Sequence, residues 1–130
     1  MQRQRELSNL IDQMAANAVC KWREGIRARQ NVIKKEVESD LGLTKLYDKL
    51  KQLTGEEYSG FRPGCPASIE YKLRLEEVGL NKKEYDQYQF QPEGWDEFIF
   101  ETKLKLACIG DTQAADFMKE FRKGLATLLK

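Results

Sequence analysis

The chain contains no histidine. Histidine is the usual general base, activates serine and cysteine nucleophiles, and ligates zinc, so its absence removes most familiar catalytic arrangements. Phosphate-cradling glycine loops, calcium-binding loops and Ser-x-x-Lys nucleophiles are also missing from the sequence. We therefore expect a protein that is not an enzyme, with no catalytic residues, no metal ligands and no cofactor.

Cysteine is scarce and is placed unfavourably for cross-linking. The three cysteines, Cys20, Cys65 and Cys108, are far apart, odd in number and form no C-x-x-C pair. This spacing indicates neither a disulfide framework nor a metal site. Cys20 and Cys108 lie among apolar residues and are predicted to be small core residues, whereas Cys65, in a Gly-Cys-Pro turn, is a candidate exposed thiol.

Long apolar runs are absent as well. No stretch approaches the ~20 residues of a membrane-spanning helix, and the first residues are polar and charged, unlike those of a signal peptide. We therefore expect a soluble, cytoplasmic protein without a membrane partner. With 130 residues, 41% of them apolar, the chain is long enough to bury a core and is predicted to form one domain over residues 1–130.

Apolar residues with helical spacing run through the first third of the chain and predict a long helix over about residues 5–40. Gly25 is its weak point, and Arg29 falls on the apolar stripe. An unbroken helix of this length would measure on the order of 50 Å, more than a compact domain of this size can cover. The helix is therefore expected either to break near Gly25 or to pack against a second copy.

The fold class predicted from the remaining segments is mainly α, a small helical domain. A second helix is expected between Gly42 and Gly55, and a C-terminal helix over about residues 112–129. Between them, residues 55–67 hold three glycines and two prolines, which predicts a loop and the best candidate for a mobile or functional segment.

Two segments have patterns that fit both a helix and a strand. Apolar residues alternate with polar ones over residues 69–75 and again over residues 98–108, as in half-buried strands. Their Glu, Lys, Arg and Leu content favours helix instead. A short two-stranded β element pairing 69–75 with 98–108 therefore stays open as the alternative to two helices.

Basic residues are concentrated near the start of the chain. Within residues 1–35 there are eight basic and three acidic residues, although the whole chain carries a net charge of only +1. On a helix, Arg23, Arg27 and Lys34 share one face, hereafter the basic strip, which could follow a nucleic-acid backbone. Residues 75–88 also have the spacing of a loose helix-turn-helix, with residues 82–89 as its second helix.

Protein association is the leading functional hypothesis from the sequence. The overlong first helix predicts helix–helix packing between chains, with Leu7, Ile11, Met14 and Ala18 at the contact. The function predicted is thus protein–protein interaction by an adaptor or regulatory domain, with itself as a partner in a homo-oligomer. The alternative is a small nucleic-acid-binding or regulatory protein that uses the basic strip within residues 21–35.

Overall fold

The structure is a computed structural model that describes residues 2–58 and 60–130. No strand occurs within these residues, so the mainly α-helical prediction is confirmed and the two-stranded β alternative for 69–75 and 98–108 is wrong. The helices and the two 3₁₀ turns follow in the order α1 (Gln2–Asp40), α2 (Leu43–Thr54), α3 (Pro66–Glu77), a turn at Lys83–Asp86, α4 (Trp95–Cys108), a turn at Asp111–Gln113, and α5 (Ala114–Leu128).

Helix α1 is continuous over 39 residues, which corresponds to about 58 Å at 1.5 Å per residue. Gly25 does not interrupt it, because the ~1 kcal/mol that glycine costs in a helix is small beside the burial of Val19 and Ile26 on either side. Arg29, which lies on the predicted stripe, is exposed, and its Nε donates a hydrogen bond to the Gly25 carbonyl. The helix ends at Asp40, and Gly42, between α1 and α2, has a φ of +69°, in the left-handed region that glycine adopts without strain.

The chain divides into two compact units, and α1 contributes to both. One unit comprises the chain up to Glu24 together with Gln89–Lys130, and the other comprises Gly25–Tyr88. Each part of α1 has buried apolar residues in its own unit, so the length of the helix does not by itself require a second copy. The prediction of one domain over residues 1–130 stays a prediction.

The first unit packs α4 and α5 against the first part of α1. Its core contains residues from all three helices, namely Ile11, Ala15, Val19, Trp95, Leu106, Phe121 and Leu125. Phe98 of α4 stacks on Phe121 of α5 at 5.8 Å between ring centroids, almost parallel. Phe90 is 1% exposed, and its ring lies 5.3 Å from that of Trp22.

The second unit is built on the later part of α1 and on α3. Ile26 and Val37 of α1 are buried, as is Leu75 of α3. Gln30 occupies a position of the same stripe, and its amide donates to the carbonyl of Leu80 at 3.0 Å. Arg74 of α3 pairs with both Asp40 and Glu70, so the end of α1 is fixed to α3 in this unit.

The alternation of apolar and polar residues over 69–75 and 98–108, which resembled that of a strand, is explained by the helices α3 and α4. In α3, Tyr71 and Leu75 are covered and are four residues apart, whereas Ile69 and Leu73, also four apart, are exposed. Helix α4 repeats this arrangement, with a covered row at residues 98, 102 and 106 and an exposed row at residues 100, 104 and 108. Two interleaved rows of this kind, one inward and one outward, produce a period of two in sequence.

Two further predictions are corrected. Cys20 and Cys108, predicted to be core residues, are exposed. The second helix of the predicted helix-turn-helix, over residues 82–89, is a single turn at Lys83–Asp86. That turn is enough to bury Tyr85, and the backbone is extended again at Gln87.

Two helical glycines provide a matched test of packing in α1 and α5. A Cβ added at Gly25 meets no atom within 4 Å, so Gly25→Ala is expected to stabilise the protein by about 0.5–1 kcal/mol. A Cβ added at Gly124 would lie 2.7 Å from Cε2 of Phe98, a ring held by its stacking on Phe121. Gly124→Ala is therefore expected to destabilise by about 1–3 kcal/mol. Denaturant unfolding followed by circular dichroism measures both, and equal stabilisation by the two variants would contradict this packing.

Candidate functional site

Helix α2 is amphipathic, yet none of its residues is buried. Leu43, Leu46, Tyr47 and Leu50 have i, i+3, i+4 and i+7 spacing and therefore share one side of the helix. Such a stripe normally faces a core. Here Leu46 is still 49% exposed, and Leu53, which continues the stripe by one turn, is 82% exposed.

The apolar side of α2 forms one wall of an open groove of about 650 Å³, hereafter the α2 groove. The opposite wall comes from the segment that leads into α3 and from the first residues of that helix. The lining residues are Leu41, Leu43, Leu46, Tyr47, Leu50, Tyr58, Gly60, Phe61, Arg62, Cys65, Pro66 and Ala67. Arg62 is the only charged residue among them.

Local interactions hold the two walls of the α2 groove in place. The hydroxyl of Tyr47 donates a hydrogen bond to the carbonyl of Gly60, which ties the middle of α2 to the loop. Lys51 and Glu57 form an ion pair at 2.8 Å near the end of the helix. Cys65, predicted to be a candidate exposed thiol, is half-buried, and its Sγ accepts the backbone N–H of Ser68 at the start of α3.

A second concavity of the same unit has a different chemical character. This polar cleft has a volume of about 630 Å³ and lies between the inner faces of α1 and α3. Its lining residues are Arg27, Gln30, Asn31, Lys34, Phe61, Ser68, Tyr71, Lys72, Leu75, Glu76, Leu80, Asn81 and Asp86. Burial, and then the negative charge of Asp86, raise the pKa of Tyr71, so its hydroxyl keeps its proton at neutral pH.

The three residues of the basic strip contact the chain itself. In the first unit, the Nε of Arg23 donates to the carbonyl of Phe90, and its guanidinium lies 5.8 Å from that ring. In the second unit, Arg27 donates to the carbonyl of Gln87 at 3.3 Å, and the ammonium of Lys34 lies 5.7 Å from the ring of Phe61. Arg27 and Lys34 both line the polar cleft.

The predicted helix–helix contact residues lie in the core of the first unit. Ile11 is fully buried, and Leu7, Met14 and Ala18 pack against the same cluster as α4 and α5 residues. Nothing in the structure tests whether a second copy also contacts them, so that assignment stays a prediction.

Sequence reasoning found part of the α2 groove. The glycine- and proline-rich segment 55–67, selected as the candidate functional loop, supplies seven of the twelve residues that line the groove. The stripe of α2 was visible in the spacing, but spacing alone does not show that a stripe is left uncovered. The polar cleft had no sequence signal beyond two cations of the basic strip, because its walls come from helices 40 residues apart.

Neither concavity has the side chains of a metal centre. Within residues 2–58 and 60–130, no three cysteine, aspartate or glutamate side chains are grouped so that they could hold a metal ion. In the same part of the chain, no helix combines the length and apolar character needed to cross a bilayer. No protein family, curated protein or solved structure is found to match this chain.

Proposed function

We propose that this protein is a non-enzymatic protein-binding domain and that the α2 groove is its docking surface. The observation that carries the proposal is a 12-residue amphipathic helix with no buried residue, lying beside an open apolar groove. Exposed apolar surface of this kind is costly in water and typically marks a place where another molecule binds.

The occupant that fits the α2 groove best is the apolar side of a helix from a protein partner. Helix-in-groove recognition places side chains of i, i+3 and i+4 spacing into an elongated apolar groove, and α2 offers such an edge from Leu43 to Leu53. A small polar ligand fits less well, because Arg62 is the one charged residue of the lining. Arg62 forms no ion pair with a described residue, so a carboxylate of the partner can bind it at the edge of the groove.

Self-association and nucleic-acid binding are two further predictions, and they are supported to different degrees. A second copy is one protein that could occupy the α2 groove, and the experiment below distinguishes it from another partner. Nucleic-acid binding is less well supported, since Arg23 and Arg27 already donate hydrogen bonds to carbonyls of the chain. A continuous phosphate-binding strip needs those donors for phosphate oxygens.

Site-specific photo-crosslinking tests the proposal directly. A photoreactive phenylalanine analogue at position 46 lies in the α2 groove, whereas the same analogue at position 52 lies on the opposite side of α2 and serves as the control. We expect irradiation in cells to give a discrete crosslinked polypeptide for position 46 and none for position 52, with mass spectrometry identifying it. A crosslink to a second copy would establish self-association. Equal, non-specific crosslinking from both positions would refute a docking groove.

Charged substitutions on the apolar side of α2 are expected to separate binding from stability. Leu46→Glu and Leu53→Glu should each abolish the crosslink from a probe at the neighbouring position 50, because a carboxylate cannot enter an apolar interface unpaired. They should change the free energy of unfolding by no more than about 0.5–1 kcal/mol, since neither side chain is buried. Gln52→Glu introduces the same charge on the opposite side and should leave both properties unchanged. Loss of folding in Leu53→Glu would contradict the exposed position of α2.

A further inference from the structure

The polar cleft is lined by the cations Arg27, Lys34 and Lys72 and by the carboxylates Glu76 and Asp86, which leaves an excess of one positive charge. Lys34 is half-buried, and neither Lys34 nor Lys72, which reaches the cleft from α3, forms an ion pair with a described carboxylate. Burying an ammonium group is unfavourable unless a partner offsets the loss of water. The ring of Phe61, 5.7 Å from the Lys34 ammonium, offsets part of it but carries no charge.

Contacts along the cleft connect Lys34 with α3. Lys34 lies beside Phe61, and Phe61 packs edge-on against Tyr71 with 5.7 Å between ring centroids. Ser68 precedes Tyr71 and Lys72 by three and four residues on α3, so these three side chains share the cleft face of that helix. Lys34, Lys72 and the hydroxyl groups of Ser68 and Tyr71 therefore all line the cleft, where the charge of Asp86 also acts on Tyr71.

The rest of the lining mixes charges, with Arg27 as a third cation and with Glu76 and Asp86 as carboxylates. Gln30 donates to the carbonyl of Leu80, and Arg27 donates to that of Gln87. Glu76 continues the lining of α3 one turn beyond Lys72. A carboxylate in this position repels a second negative group, so the cleft favours a compact anion over a long polyanion.

We propose that the polar cleft binds the phosphoryl group of a small phosphorylated molecule, held between Lys34 and Lys72 with Ser68 and Tyr71 as hydroxyl donors. A carboxylate has two oxygens for these donors, whereas a phosphoryl group has three oxygens and nearly twice the charge. The volume of about 630 Å³ lies within the range of small-molecule sites. The remainder of the ligand extends along Asn31 and Asn81, whose amides both donate and accept hydrogen bonds.

Isothermal titration calorimetry with inorganic phosphate, AMP and citrate tests this site. We expect phosphate and AMP to bind the intact protein, AMP more tightly, and citrate to bind at least about tenfold more weakly than AMP. Lys34→Gln should weaken AMP binding at least about tenfold. The matched control is Lys35→Gln, which removes the same charge from the next, exposed residue of α1 and should leave binding unchanged.

Other variants keep the test decisive. Lys72→Gln should weaken AMP binding as Lys34→Gln does, and it serves as a second variant because Lys34→Gln also removes the contact with Phe61. A melting curve of each variant shows whether the fold is intact. Leu46→Glu, in the α2 groove, should retain AMP binding, so the failure of either proposed site can be told from failure of the other. No binding of phosphate or AMP at millimolar concentration would overturn the proposal. So would equal weakening by Lys35→Gln, or tighter binding of a single-stranded RNA that both lysine variants weaken alike.

Discussion

Replacing Phe90 with alanine is expected to lower the free energy of unfolding by about 3–5 kcal/mol. The Phe90 ring is 1% exposed and packs against Trp22, while the guanidinium of Arg23 lies over it. Removing the ring would leave a cavity beside Trp22 and uncover the hydrogen bond that Arg23 donates to the backbone carbonyl of residue 90. Both effects act in the segment between the 3₁₀ turn at Lys83–Asp86 and α4.

A phenylalanine elsewhere in the same unit provides the control. Phe100 of α4 is 67% exposed, so Phe100→Ala removes the same atoms without creating a cavity. We expect it to change stability by no more than about 0.5 kcal/mol, because alanine has the higher helix propensity and little burial is lost. Denaturant unfolding with circular dichroism measures both variants. Similar losses for the two would show that Phe100 is covered and that the outward face of α4 is wrongly assigned.

The helices that could be predicted from the sequence are those with one apolar row and clear glycine ends. The first helix was expected over residues 5–40 and α5 over about 112–129, and each lies within a few residues of its observed bounds. Gly42, between α1 and α2, and Gly55, at the end of α2, both have positive φ, as predicted for glycines at helix ends. In these segments spacing, propensity and capping all favour the same structure.

The segments that could not be assigned are those with apolar residues on two faces. In α3 and α4, an exposed row of Ile69 and Leu73, and of Phe100 and Leu104, is interleaved with the covered row. Periodicity reports which residues are apolar and not which are covered, so the outward row obscured the helical pattern. For the same reason, α2 showed its stripe in sequence but not its exposure.

The candidate sites depend on pairings that local sequence does not contain. The basic strip lies on α1, but the segments that contact it, at Gln87 and Phe90, lie about 60 residues further along the chain. An arginine that donates to such a carbonyl looks identical in sequence to one that is free to bind phosphate. Lys34 and Lys72 likewise meet in one cleft only because α3 packs on α1.

Replacing Ile11 with alanine is expected to cost about 2–4 kcal/mol of stability and to decide whether α1 mediates self-association. Ile11 is fully buried in the core of the first unit, whereas its neighbour Leu10 is 42% exposed and Leu10→Ala should cost less than about 1 kcal/mol. Because Ile11 is covered by the chain's own α4 and α5 cluster, we expect Ile11→Ala to leave unchanged any dependence of the unfolding midpoint on protein concentration over about a hundredfold range. The opposite result is a midpoint that rises with concentration in the unmodified protein but not in Ile11→Ala. That result would place Leu7, Ile11, Met14 and Ala18 at a contact between copies. The slope of the midpoint against protein concentration in Ile11→Ala distinguishes the two results, since folding coupled to association becomes more favourable at higher concentration and folding of one chain does not.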